Sequence, residues 1–484
     1  MRHTRYIIVA IICFVLTLVS LGVYGAYTMM RQLTPAEVLK SETARNFIRD
    51  NLPEDKKVFF DLLPDLLGLE APKTYLVLFQ NNTELRPTGG FIGSFAVIRV
   101  YKGSFELLSV QGTEQLDWRT LPSTAQKPPQ PILEYLDVPY WYSRDANWSP
   151  DFRVAVPDIL RLYTQEDGPY AGEIDMVVAI TASVLEDVLA DIGPLEVEGQ
   201  TFTAQNAIDV LQYDTSFGYA DRNIPWQDRK RMIDILSAEI IQRITDDPIG
   251  LAPKLVSTLS VRAREGHVVL YSVDDVLQSQ FEAQQIAGRV LSSGGDALMW
   301  VDANLAALKT DQAIKRSLIY ALHQDKNSKE WIGTATMHYV HTKDFDWKTT
   351  RYLTYARVFV PQGAQIKRVY TTLNGGEQKD VDMKKVSGGV ELGKQWFGYY
   401  YFLEPKQTGT LTFEYSLPKQ VITKPYTLFV QKQLGTEAHG LTLDLQFDTK
   451  IQTATPGETK DKWGDARYQY TTDLRVSREV QVGF

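Results

Sequence analysis

The sequence is short of the residues that build disulfides and most metal centres. It has one cysteine and six histidines in 484 residues, which excludes an internal disulfide framework and a cysteine-based zinc site. Positive charge is not in excess either, because 51 lysines and arginines face 59 aspartates and glutamates. A net charge of −8 argues against a broad basic surface, so we expect no nucleic-acid partner.

Folded domains are indicated by what the sequence contains. Hydrophobic residues make up 44% of the chain and aromatic residues 11%, enough to offset the entropy lost on folding. At roughly 100 to 200 residues per domain, the length predicts two or three domains.

Formal charge is absent from residues 6–30, a run of 25 residues that contains the single cysteine, Cys13. The run exceeds the roughly 20 residues that span a bilayer as a helix, and it continues into bulky residues where a cleaved signal peptide would end. Arg2 and Arg5 precede it, so the positive-inside rule predicts a cytoplasmic tail at 1–5. We therefore expect a single-pass cell-membrane protein with a signal anchor at 6–30 and extracytoplasmic C-terminal domains.

Patterning divides the remaining chain into three regions. The capping pattern Thr34-Pro35-Ala36-Glu37 and helical spacing after it predict a helical stalk over 31–71. An α/β domain with a helical extension is predicted over 72–330, where the apolar run 74–80 is typical of a strand buried on both faces. Within this domain, the spacing of apolar residues from Trp226 to Ile244 predicts an amphipathic helix.

From Trp331 onward the apolar period becomes two, which predicts a C-terminal antiparallel β-sandwich over 331–484. The predicted fold class is therefore multidomain. It comprises an N-terminal transmembrane helix, an α/β layered domain with a helical extension, and an antiparallel β-sandwich.

Three patterns resemble functional motifs but favour structural interpretations. Residues 388–394 match most of a phosphate-binding loop, yet Gln395 replaces the magnesium-binding hydroxyl and a strand-like segment follows. Residues 88–93 are followed by another strand, which favours a tight turn with close backbone approach over a dinucleotide site. His338 and His341 should face opposite sides of a strand, which argues against a metal site.

Arginine and acidic residues cluster in the loops of the α/β region. Arginine forks suit phosphate or pyrophosphate, and neighbouring carboxylates can orient the forks or hold Mg²⁺. The alternative is structural, since such pairs also tie loops down and Asp145 or Asp151 can cap a helix. The candidate residues are Asn82, Glu84, Arg86, Arg144, Asp145, Asp151, Arg222 and Arg229.

Three segments carry a resemblance to a known family. FQNNTELRPTGGFIGSF at 79–95, RDANWSPDF at 144–152 and VDANLAALKTD at 301–311 resemble an uncharacterised bacterial family, a domain of unknown function on single-span, surface-exposed proteins. The resemblance covers most of residues 72–350 and implies no particular activity.

A second resemblance covers residues 174–213 and the segment WQDRKRMIDIL at 226–236, which are similar to the second half of the LytR-CpsA-Psr fold. Those membrane-anchored phosphotransferases move glycopolymers from polyprenyl pyrophosphate carriers to the cell wall, using Arg, Asp and Mg²⁺. The resemblance implies catalytic roles for Arg144, Asp145, Arg222 and Arg229.

Together these features predict an extracytoplasmic cell-envelope protein with an arginine-rich phosphate-binding cleft. Arg86, Glu84 and Asn82 would bind a lipid-linked pyrophosphate glycan, while Asp145 or Asp151 would place Mg²⁺. The alternative is a non-catalytic surface adhesion or scaffold protein, in which Trp396, Phe397 and residues 399–401 of the sandwich contact partners.

Overall fold

The computed structural model describes residues 42–50 and 54–484, a mixed α/β half followed by a β-rich half. The tail and anchor predicted at 1–30 lie outside the described residues, as does the first part of the predicted stalk. Within the described part of the chain, no helix is long and apolar enough to cross a membrane. This finding corrects the predicted fold class, which included a membrane-spanning helix.

The α/β half contains a five-stranded sheet and a two-stranded hairpin. The sheet has the order β3-β2-β1-β4-β7, in which β1 pairs with β4 in parallel and the other neighbours are antiparallel. The strands are β1 Lys73–Asn81, β2 Phe91–Tyr101, β3 Ser104–Gly112, β4 Met176–Thr181, β5 Leu195–Val197, β6 Gln200–Phe202 and β7 Val268–Ser272.

Helices lie on both faces of this sheet. They are α1 Glu42–Asp50, α2 Glu54–Leu66, α3 Glu114–Asp117, α4 Gln130–Leu136, α5 Phe152–Gln165, α6 Ser183–Ile192, α7 Ala207–Tyr213, α8 Tyr219–Asp221, α9 Arg231–Asp246, α10 Pro248–Arg264 and α11 Asp275–Ala283. A single π-turn, Asp214–Gly218, joins α7 to α8.

Alternating side chains of β1 build two separate cores. Tyr75 and Val77 pack with α2, α6, α9 and α10 on one face, whereas Leu76 and Leu78 pack with α5 on the other. This follows from the two-residue period of a strand, and it explains why the apolar run of β1 is continuous. The strand buried on both faces is therefore as the sequence predicted.

The β-rich half is a sandwich of two seven-stranded sheets, β13-β12-β16-β10-β9-β18-β20 and β14-β15-β11-β8-β17-β21-β19. Its strands are β8 Asp296–Asn304, β9 Ile314–Gln324, β10 Trp331–His341, β11 Tyr352–Pro361, β12 Gln365–Leu373, β13 Lys379–Asp380, β14 Ser387–Glu391, β15 Lys394–Leu403, β16 Thr408–Leu417, β17 Tyr426–Gln431, β18 Gly440–Gln446, β19 Thr453–Thr455, β20 Arg467–Asp473 and β21 Arg478–Gly483.

Two features of this sandwich correct the prediction. The sheets are mixed, because β17 pairs with β8 and β18 pairs with β9 in parallel. The region predicted as a helical extension also contains β8 and β9, which belong to the sandwich. All nine residues of β8 are buried, so this strand lacks the alternation that identifies a half-exposed strand in a sequence.

The two halves touch where two glycines meet. Gly435, in the loop after β17, has a φ of +70°, and a Cβ placed there would lie 2.3 Å from the Cα of Gly89. Gly89 belongs to the turn between β1 and β2. The structural interpretation of residues 88–93, a tight turn with close backbone approach, therefore describes this turn.

We expect Gly435→Ala to destabilise the protein more than Gly375→Ala. Both glycines have a positive φ, so replacing either one by alanine costs roughly 1–2 kcal/mol of stability through backbone strain. A Cβ at Gly375, however, would meet no atom within 4 Å. The added clash at Gly435 should cost about 1–3 kcal/mol more. Urea unfolding followed by tryptophan fluorescence measures the difference, and equal losses would contradict the close approach.

Candidate functional site

A cavity of about 600 Å³ lies between the five-stranded sheet and helices α6, α7 and α9. This volume is within the range of small-molecule sites. Part of the apolar face predicted for the helix at 226–244 therefore faces a cavity. The wall is mainly apolar and includes Val77, Val184, Val188, Leu211, Leu236 and Ile240.

Polar groups line the cavity at the carboxyl ends of two parallel strands. Gln80 and Asn81 end β1, Thr181 ends β4, and Gln80 is paired with Thr181 in the register of the two strands. Ligands of α/β sheets characteristically bind outside the carboxyl ends of the strands. The cavity therefore has a polar end at the position where this architecture binds ligands.

Three cationic side chains, Arg229, Lys230 and Lys309, also line the cavity. Lys230 donates from Nζ to the backbone oxygen of Gly93 and to the carboxylate of Glu114. Arg229 places Nη1 2.8 Å from the other oxygen of Glu114. One carboxylate thus serves two cations.

Stacking fixes the position of Arg229. Its guanidinium lies 4.0 Å from the ring centroid of Trp226, and that ring is stacked on Trp118 with a centroid distance of 4.9 Å. Both tryptophans are substantially exposed. Arg229 is therefore held in the cavity wall by its contact with Trp226, whose ring is supported in turn by Trp118.

Lys309 is a cation of the cavity wall for which the described residues provide no ion pair. The ammonium of this half-buried residue has no hydrogen bond or ion pair within 4.0 Å from any group in the described ranges. Burial lowers the pKa of Lys309, while the charge of Glu84 acts in the opposite direction. An anion bound in the cavity would supply the missing partner.

Four of the predicted residues, Glu84, Arg86, Asp145 and Arg144, form a chain of ion pairs next to the cavity. Arg86 Nη2 lies 3.4 Å from Asp145 Oδ1, and Asp145 Oδ2 lies 3.4 Å from Arg144 Nε. Arg144 continues the chain through Nη1, which lies 2.5 Å from Asp117 Oδ2. Glu84 joins at the other end, 3.3 Å from Arg86 Nη2, and also lines the cavity.

Two carboxyl groups of this chain bind protons more strongly than usual. Burial raises the pKa of Asp117 to about 6, against the opposing charge of Arg144 and with support from the like charges of Asp145 and Glu114. Burial likewise raises the pKa of Glu84, against the charge of Arg86. The charge of the chain is therefore sensitive to pH.

The other predicted residues lie apart from this chain. Arg222 pairs with Asp214 and, at 3.4 Å, with Glu198. Asp151 caps α5 through the amide of Val154 and also accepts a hydrogen bond of 2.9 Å from Arg289 Nε.

Asn82 donates from Nδ2 to Ser183 Oγ at 3.1 Å and to the backbone oxygen of Gly435 at 3.2 Å. It therefore ties β1 to α6 and to the sandwich.

The predicted magnesium ligands do not fit the ion as they are arranged. Each carboxylate oxygen of Asp145 faces an arginine, and Asp151 is occupied by a helix cap and Arg289. Among the described residues, no group of three or more His, Cys, Asp or Glu side chains is placed to hold a metal. As arranged here, Asp145 and Asp151 therefore offer Mg²⁺ no free carboxylate pair.

The sequence did not identify Lys230, Lys309, Glu114 or Asp117 as site residues. Lys230 directly follows the predicted residue Arg229, and Lys309 lies in the segment 301–311 that carries the resemblance. Their positions in the sequence were therefore the available indication that these two lysines belong to the site. The cavity itself gave none, because a helix face that lines a cavity has the same apolar spacing as one that lines a packed core.

Comparisons with known proteins cover only parts of the chain. A search of curated proteins found no match. Yeast (Saccharomyces cerevisiae) leukotriene A4 hydrolase is 8% identical with a TM-score of 0.23, over 35% of this chain and 29% of that chain. A putative protease from Parabacteroides distasonis is 8% identical with a TM-score of 0.20, over 36% and 41%. The chain thus spans less than half of either protein, and similarity this low carries no conclusion about fold or activity.

The family comparison is more specific. Residues 70–215 match a family described as "Protein of unknown function (DUF4012)". These residues comprise the first four strands of the sheet, the chain of ion pairs and one wall of the cavity. The predicted resemblance to a domain of unknown function is therefore confirmed over residues 70–215.

Proposed function

We propose that the cavity binds an amphipathic lipid with a phosphate or diphosphate head, of the polyprenyl phosphate class. The observation that carries this proposal is the presence of Arg229, Lys230 and Lys309 at a cavity whose wall is mainly apolar. The apolar wall suits a hydrocarbon chain, because burying apolar surface yields about 25 cal/mol per Å². The cations suit phosphate oxygens, to which they form charge-assisted hydrogen bonds.

The local charge balance supports an anionic head. Arg229 and Lys230 share the single carboxylate of Glu114, and Lys309 has no ion pair among the described residues. Charges held in a partly apolar site are costly unless they are paired. Against three cations the cavity has two carboxylates, Glu84 in its wall and Glu114 beside Arg229 and Lys230, so a phosphate head would supply the negative charge that is missing.

This proposal agrees with the ligand that the LytR-CpsA-Psr resemblance implies, but it assigns the contacts differently. Arg229 lines the cavity, Arg86 and Arg144 lie in the adjoining ion-pair chain, and Arg222 is paired elsewhere. Glycopolymer transfer, the use of Mg²⁺ and the extracytoplasmic location stay predictions from the sequence.

The scaffold alternative gains no support from the aromatic residues on which it was based. Phe397 and Tyr401 are buried in the core of the sandwich, and Trp396 and Tyr399 pack against its cores. Phe397 and Tyr401 are therefore closed to a partner, whereas Trp396, Tyr399 and Tyr400 are half-buried, with Tyr400 stacked on Tyr135. The scaffold alternative stays a prediction from the sequence.

We expect Lys309→Met to weaken binding of geranylgeranyl diphosphate by about tenfold or more, since a hydrogen bond to a charged group contributes roughly 1.5–3 kcal/mol. Isothermal titration calorimetry measures the affinity, with geranylgeraniol as the ligand that lacks phosphate. Lys315→Met, which removes an exposed lysine from β9, is the matched control and should leave binding unchanged. Equal affinities for wild type and Lys309→Met would contradict the role of this cation.

The apolar half of the proposal is tested by filling the cavity. Ser237 lines it, whereas Ser257 on α10 is exposed. We expect Ser237→Trp to reduce binding of geranylgeranyl diphosphate at least about tenfold, because the indole would occupy the space of the lipid chain. Ser257→Trp should bind normally, and thermal unfolding would verify that both variants fold. Normal binding by a folded Ser237→Trp variant would place the lipid elsewhere.

Protonation of Asp117 should favour binding of the anionic head as the pH falls through about 6. Burial raises the pKa of Asp117 to about 6, so the carboxyl group is neutral below that pH and no longer neutralises Arg144. Titration of the ligand phosphate itself affects every variant equally. We therefore expect the ratio of affinities at pH 5.5 and pH 7.5 to be several-fold higher for wild type than for Asp117→Asn. A ratio unaffected by the substitution would exclude Asp117 as the titrating group.

A further inference from the structure

A loop of the sandwich, residues 342–351 between β10 and β11, contacts two segments that line the cavity. The backbone oxygen of Lys348 in this loop accepts a hydrogen bond of 2.9 Å from the amide of Lys309. The side chain of Lys348 points to the other segment, where its ammonium forms an ion pair with Asp209 of α7. The loop therefore joins Lys309, in the cavity wall, to helix α7.

The segment from α7 to α8 has one face toward the cavity and another toward this loop. The residues that line the cavity recur after three or four positions, which is the spacing of one helix face. They are Ile208, Leu211, Gln212, Thr215, Ser216 and Tyr219. Asp209, Tyr213 and Phe217 are four residues apart and contact the loop. The segment is therefore a wall one helix thick between the cavity and the sandwich loop.

Trp347 makes the aromatic part of this contact. Its ring meets the rings of Tyr213 and Phe217 edge-on, with centroid distances of 5.8 and 5.6 Å. The turn that carries Trp347 has its own support, because Asp346 Oδ1 accepts a hydrogen bond of 2.9 Å from the amide of Lys348. The loop therefore presents a preformed surface to the helical wall.

The contacts between the wall and the loop are individually weak. Tyr213, Phe217 and Trp347 are 45%, 47% and 38% exposed, so their ring contacts exclude only part of the solvent. The carboxylate of Asp209 is also exposed, and ion pairs of exposed carboxylates contribute little stability. The wall itself contains the π-turn Asp214–Gly218, an irregularity that is frequent at functional sites. A wall held in this way can open locally while the rest of the fold stays intact.

We propose that the loop 342–351 is a latch for the cavity. Trp347 and Lys348 hold the wall of α7 and α8 closed, and release of these contacts lets a ligand enter or leave. The inference goes beyond the proposed function, because it concerns access to the cavity and is independent of the ligand's chemistry. It also gives the sandwich control over a cavity that lies in the α/β half.

Hydrogen exchange of the full chain, measured by mass spectrometry without a ligand, tests the latch directly. We expect Trp347→Ala to speed amide exchange in residues 208–219 by about tenfold or more, because exchange follows the open fraction of a segment. Trp347→Phe keeps an aromatic ring and should stay within about threefold of wild type. Trp463→Ala is the matched control, since Trp463 is 43% exposed on the loop between β19 and β20. An unchanged exchange rate in Trp347→Ala would overturn the latch.

Ligand exchange supplies a readout that a loss of structure would not imitate. Stopped-flow fluorescence with geranylgeranyl diphosphate follows binding through Trp226, which lines the cavity. A latch that acts equally on free and bound protein changes rates and leaves affinity alone. We expect Trp347→Ala to raise the association and dissociation rate constants together, each about fivefold or more, with the dissociation constant within about twofold of wild type. Slower association, or unchanged rate constants, would overturn the latch.

Locking the wall to the loop should have the opposite effect. The chain has a single cysteine, so Cys13→Ser combined with Phe217→Cys and Trp347→Cys leaves one pair of thiols for a reducible bifunctional reagent. Bridging should slow both rate constants about tenfold or more relative to the same protein after reduction. Equal rates before and after reduction would show that the ligand passes elsewhere and would overturn the latch.

Failure of the latch and failure of the proposed function are distinguishable. If wild type does not bind geranylgeranyl diphosphate, the proposed function fails. Hydrogen exchange of the ligand-free variants then decides the latch, with faster exchange in Trp347→Ala supporting it and unchanged exchange overturning it.

Discussion

The buried guanidinium of Arg86 is the contact on which the union of the two halves depends. Only 2% of this residue is exposed, and it donates to the backbone oxygen of Asn304 at the end of β8 while it faces Glu84 and Asp145. Removing one partner of a buried charge costs about 3–5 kcal/mol. The segments 79–95 and 144–152, which lie within the matched residues 70–215, and the segment 301–311 each supply a member of this contact. Their shared role is therefore first of all to join the α/β sheet to the sandwich.

The arginines at the junction and at the cavity have different roles because their acidic partners differ. Arg86 is surrounded by two carboxylates and a carbonyl, so its charge is satisfied within the protein. Arg229 shares the carboxylate of Glu114 with Lys230, which leaves capacity for a further anion. A sequence identifies the arginines but not the number of acceptors around each one. The predicted site therefore combined arginines that stabilise the junction with one that lines the cavity.

Elements with a strong local pattern could be predicted from the sequence, and those defined by distant contacts could not. The apolar run 74–80, predicted as a strand buried on both faces, is observed as the strand Lys73–Asn81, because a short continuous apolar run is a local feature of the sequence. Strand β8 was missed because burial by residues far along the chain, on both faces, removes its alternation. The parallel pairing of β17 with β8 joins strands well over 100 residues apart, and no local pattern specifies it.

Unsatisfied buried groups occur both at the junction of the two halves and beside the cavity, but their charges are balanced differently. Arg86 Nε and Arg144 Nε have no hydrogen-bond partner among the described residues, yet both guanidinium groups lie within 3.4 Å of carboxylates. Their charges are therefore balanced within the protein. Lys309 lines the cavity and has no ion pair within the described structure. A partly buried charge without a counterion reduces stability, so an anion in the cavity is the group that would complete this site.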